Sequence, residues 1–235
     1  MKPSRILKFA LLTQAVLITA CDDGDILPAH NDLSGDDGIT VVMTGSIRGA
    51  DDTLPEGYSA VLAAFKDGDD FAIVSKPVHD GSEAVQLNNI STSASTVELC
   101  IINTLRKRIL TLASIPVDAT DTKRVNFDVG SIDASPFNVI NTCIFAKSCT
   151  QCHGGAGQAA AGLNLTYEQA YANLVGVPST VLDGELRVAP EDATRSTLWQ
   201  AVATTVSQGW HYDHSNLLPS DQSEFIKSWI NALTK

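Results

Sequence analysis

Cys149, Thr150, Gln151, Cys152 and His153 are the residues of this chain whose types and spacing most clearly define a chemistry. Two cysteines three apart share one face of a helical turn, so both thiols can reach the two vinyl groups of a single haem. A histidine directly after the second cysteine then lies under the ring and can ligate its iron. A zinc half-site or a redox dithiol would also use C-x-x-C, but neither needs the trailing histidine. The motif therefore predicts one covalent haem c, with Cys149 and Cys152 as attachment points and His153 as an iron ligand. The rest of the chain must supply a compartment, a frame and a second ligand.

The compartment is read from the N-terminus. Lys2, Arg5 and Lys8 precede an uncharged run from Phe9 to Ala20. That run is too short to cross a bilayer as a mature helix but suits the core of an export signal. It closes Leu17-Ile18-Thr19-Ala20-Cys21, which resembles the lipobox of bacterial lipoproteins. The resemblance implies cleavage after residue 20 and lipidation of Cys21, placing the protein outside the cytoplasm on a bacterial membrane, on its periplasmic or cell-surface side. An ordinary secretory signal with an incidental cysteine is the alternative. Several acyl chains on one residue would anchor the chain stably.

Charge narrows the partners. The whole chain carries a formal charge of −11, and loss of residues 1–20 removes three cations and no acids, giving −14. So acidic a surface excludes nucleic acid and favours partners with positive patches, as in redox encounters. Residues 21–38 hold six aspartates among Gly, Pro and Asn and read as a solvated tether, with His30 inside it.

Residues 39–132 read as an all-β immunoglobulin-like sandwich. Short apolar or β-branched runs cover 39–47, 58–65, 71–75, 84–87, 97–102, 109–113 and 125–129, separated by Gly-, Asp- and Ser-rich turns. His79 lies alone in a turn and reads as solvated, and Arg106, Lys107 and Arg108 mark a hairpin tip. With Cys21 assigned to lipid and the motif pair to haem, Cys100 and Cys143 remain and are expected to form a disulfide. Two buried free thiols are the other possibility.

Residues 133–235 read as helical. Ser135-Pro136 marks a helix start; Thr166 with Gln169, Ser196 and Ser220 are further caps. Phe225, Ile226, Trp229, Ile230 and Leu233 form one apolar stripe. The order Cys149 to Gly154, Gly162-Leu163-Asn164-Leu165, Pro190 to Leu198 and Trp229-Ile230 resembles the small class I-like bacterial c-type cytochrome domain. That resemblance implies an all-α cytochrome c-like fold over 133–235 and a methionine as second iron ligand. Here Leu218-Pro219 stands where Met-Pro is expected, and no methionine follows Met43. The same loop contains His211 and His214, so bis-histidine ligation by His153 and His211, with His214 as the alternative, is the expectation.

The function expected is single-electron transfer outside the cytoplasm, to redox proteins or a larger respiratory or dehydrogenase complex. It requires no substrate chemistry of the protein's own. A haem-based ligand-binding or sensing protein with an open iron site, and a structural surface lipoprotein, are the competing readings.

Overall fold

The computed structural model describes residues 38–51, 53–118, 123–155, 157, 159–203 and 212–234. The signal segment, Cys21, His30, nearly all of the tether and His211 lie outside them. Among the described residues no helix is long and apolar enough to cross a membrane.

Among the described residues, seven strands form two sheets. They are β1 (Ile39–Arg48), β2 (Tyr58–Phe65), β3 (Val74–Pro77), β4 (Ala84–Ile90), β5 (Thr96–Asn103), β6 (Arg108–Pro116) and β7 (Arg124–Asp133). One sheet has the order β4-β1-β7 and the other β3-β2-β5-β6. Pairing is antiparallel except between β1 and β7, which run parallel. The sandwich-like part thus agrees with the strand pattern. In β1 the alternation buries Ile39, Val41 and Met43 on one face while their neighbours stay partly exposed. The central strands β2 and β5 are buried on both faces. Ala60, Leu62, Leu99 and Ile101 enter the main core, whereas Val61, Ala63, Phe65, Cys100 and Ile102 form a small second cluster behind it.

The C-terminal part is not the all-α domain expected. The helices are α1 (Pro136–Ile140), α2 (Ala170–Leu174), α3 (Thr197–Ala203) and α4 (Ser220–Ala232), and a π-helical stretch, Asn141–Cys149, continues α1. Most are one or two turns long and are joined by irregular backbone, too short to enclose a core of their own. Instead Ile140, Ile144, Phe145, Phe225, Ile226 and Ile230 share the main core with the strands. Tyr58 of β2 meets Phe225 of α4 edge to face, with ring centroids 4.9 Å apart.

The helical part also closes an open sheet edge. Alternate carbonyls of β6 point away from β5, and an exposed row of them invites unwanted pairing. Ile109 O accepts from Gln222 Nε2 at 3.3 Å and Thr111 O from Cys143 Sγ at 3.5 Å. Lys107 pairs with Asp221 at the same edge. The expected basic hairpin tip is therefore largely neutralised, Arg108 being held by Asp70 and Glu98.

Candidate haem-attachment site

The site begins where the π-helical stretch ends. Thr150 N donates to Phe145 O at 3.0 Å, a five-residue step. Single π turns often interrupt α-helices at functional positions. The backbone then tightens, with Cys152 N and His153 N both donating to Cys149 O, at 3.2 and 2.9 Å. One turn thus carries both thiols and the imidazole, as the spacing predicts. Cys149 is half-buried and Cys152 exposed.

The Cys149 thiol does not have the electrostatics of a reactive redox cysteine. A redox dithiol relies on a thiol whose pKa is lowered. Burial, helped by the neighbouring Cys152, instead pushes Cys149 up to about 11. At neutral pH it is a neutral thiol.

His153 is held from two sides. Its backbone carbonyl accepts from Leu165 N at 2.7 Å, and the chain returns beside it through a bridge to Ala159. Nδ1 lies 3.1 Å from Ala160 O. A carbonyl only accepts, so Nδ1 is the donor here, which leaves Nε2 as the nitrogen that can offer a lone pair to a metal. A histidine whose other nitrogen is tied to a carbonyl has the usual arrangement of a metal ligand. Sequence reasoning missed Ala160, because a backbone acceptor leaves no mark on residue type.

Of the two loop histidines, His214 is the one the described structure brings to His153. The rings lie 6.1 Å apart, centroid to centroid, with planes inclined by 29°. Burial and the adjacent His153 lower the His214 pKa, favouring the neutral imidazole that binds metal. Tyr212 stands edge-on to His214 with centroids 5.1 Å apart. Leu218, in the position where the family resemblance would put methionine, is buried.

The residues present fit covalent attachment of a haem: two thiols and an imidazole lie on one turn, the imidazole is held through Nδ1, and a second imidazole lies close by. Among the described residues no group of three or more Cys, His, Asp or Glu converges on one point.

The remaining expected features fall elsewhere. Cys100 and Cys143 are free thiols, not a disulfide. Strand alternation turns Cys100 into the second cluster, while Cys143 approaches β6, the next strand out, at its open edge. Burial raises the Cys100 pKa beyond the usual thiol range. His79 is mostly exposed, as expected, but pairs with Asp51 at 2.8 Å. A cleft of about 410 Å³ lies between β6 and the segments around 147 and 219; Lys107, Arg108, Lys147 and Asp221 line it, and it does not include His153 or His214.

Comparison with protein-family models, with curated proteins and with solved structures gives no match.

Proposed function

We propose that this protein is a c-type cytochrome carrying one covalent haem and transferring single electrons outside the cytoplasm, without methionine ligation. The observation that carries the reading is the combination at one turn: Cys149 and Cys152 beside a His153 whose Nδ1 is committed to Ala160 O, with the His214 ring 6.1 Å away. When bound, a haem would supply one-electron chemistry at iron. Cys149 and Cys152 would fix it covalently, and His153 would hold the iron through Nε2. His214, whose ring lies 6.1 Å from that of His153, or His211, which lies outside the described residues, would be the second ligand. Lipidation at Cys21 would hold the protein at a membrane, and its negative charge would favour redox partners with positive patches. An imidazole in place of a thioether removes a ligand that raises potential, so a low-potential centre is expected.

The test is a pyridine haemochrome assay on the full-length protein produced with haem-maturation machinery. One haem per chain that survives denaturation, and its loss in a Cys149→Ser/Cys152→Ser double variant, is the expected result. Wild-type protein with no covalent haem would overturn the reading and favour a structural lipoprotein.

A further inference from the structure

Arg187 is a buried cation that pairs with no carboxylate among the described residues. Its side chain is 9% exposed. Nη1 donates to Asn173 O at 3.0 Å, and Nη2 donates to Ala161 O and Gly162 O, both at 3.2 Å. Desolvation lowers its pKa, and no carboxylate among the described residues offsets this. Burying a guanidinium against carbonyls alone is costly, so such a residue needs a reason.

The segment it grips supplies one. Residues 160–162 form a short turn in which Ala161 has φ +54°, a left-handed conformation that a residue with a Cβ adopts at a cost. The three successive carbonyls of that turn are all engaged. Ala160 O takes Nδ1 of His153 at 3.1 Å, Ala161 O takes Arg187 and the Thr180 hydroxyl, and Gly162 O takes Arg187 again. Arg187 and Thr180 thus hold in place the strained turn that fixes the proton on His153.

We infer that Arg187 is a positioning residue for His153: it clamps the 160–162 turn, so setting the imidazole tautomer, and places a positive charge beside the proposed haem centre. The redox part of this rests on the haem reading; the tautomer part does not. A cation near the iron disfavours the more positive oxidised state, so removing it lowers the potential.

The test uses the full-length chain as wild type and as Arg187→Met, Arg187→Lys and Thr180→Val variants, read in two ways. In protein made without haem maturation, long-range proton–nitrogen NMR of His153 should show the proton on Nδ1 in the wild type. It should shift substantially to Nε2 in Arg187→Met, and less in Thr180→Val. In haem-loaded protein, Arg187→Met should lower the reduction equilibrium constant about tenfold, ~59 mV for one electron. Arg187→Lys, which keeps the charge but not the fork, should recover the potential more fully than the tautomer. A folded Arg187→Met variant with both readouts unchanged would overturn the inference. If that variant does not fold, unchanged tautomers in Arg187→Lys and Thr180→Val overturn it instead. Absence of haem in the wild type would refute the haem reading, and the tautomer readout alone would then decide the clamp.

Discussion

The sandwich-like half and the C-terminal half of this chain share one core but are ordered by different means. In the strands, main chain pairs with main chain over long registers, as between Tyr58–Phe65 and its β5 partners. In the C-terminal half the repeating ladder gives way to single side chains that reach distant carbonyls. Arg187 joins the end of α2 to the 160–162 turn, Asn141 reaches Tyr167 O, and Gln222 reaches Ile109 O. The difference teaches where function can reside. A ladder tolerates few changes of path, whereas a segment held at points can present thiols, an imidazole and irregular backbone to a ligand.

If the core is truly shared, its largest residues should report on both halves at once. Phe225→Ala removes an entirely buried ring that packs on Tyr58, and should cost about 3–5 kcal/mol. Thermal unfolding followed by far-ultraviolet circular dichroism and by tryptophan fluorescence should remain one coincident transition at a lower temperature. Two separate transitions would show that the halves fold independently and would break the comparison. Leu62→Ala, buried in β2, should cost about 2–5 kcal/mol and lower the same single transition.

A smaller effect sharpens the contact between the halves. Burial raises the pKa of Tyr58, with a hydrogen bond from Ser228 opposing and the charges of Glu224 and Asp221 reinforcing the shift. A raised folded value means that the neutral phenol is favoured in the folded state. The associated stability is complete below the ordinary value near 10 and is lost as pH rises through the folded value. Urea unfolding between pH 9 and pH 11, roughly spanning the tyrosine range, should therefore show a decline that Tyr58→Phe lessens. An identical decline in the variant would refute burial of this hydroxyl against α4.

What was legible in the sequence follows the same division. Alternation at Ile39, Val41 and Met43, or at Val125 and Phe127, marks strands because the period of two is imposed by the pleat itself. Apolar and β-branched runs mark the remaining strands, with β2 at its observed ends, but the run at 71–75 overlaps β3 only at Val74 and Ser75. Neither signal could show that β1 and β7 pair in parallel, since partner choice is not written in a strand's own pattern. In the C-terminal half, cap residues were right in part. Ser135 is the N-cap of α1 with Pro136 at its first position, though without a side-chain cap bond, and α3 begins at Thr197 directly after Ser196; but the Thr166 hydroxyl donates to Asn164, and Ser220 lies inside α4 after Pro219. The apolar stripe of α4 was legible, but its destination was not: it packs onto strands rather than completing a helical domain. The Cys100–Cys143 pairing rested on elimination, which ignores which face each thiol occupies. Spacing located the Cys149–His153 turn because its chemistry is local. The sequence put His211 ahead of His214, a ranking on which the described residues do not bear, and it gave no sign of Ala160 or Arg187, whose roles depend on backbone placement.

The central proposal is that one covalent haem would be attached at Cys149 and Cys152, with His153 and His214 to hold its iron. Electron paramagnetic resonance and carbon monoxide binding on haem-loaded wild type and His214→Ala test it most directly. A low-spin ferric wild type, and a variant that keeps its covalent haem but becomes high-spin and binds carbon monoxide when reduced, is the predicted result. A low-spin spectrum that persists unchanged in His214→Ala would contradict it.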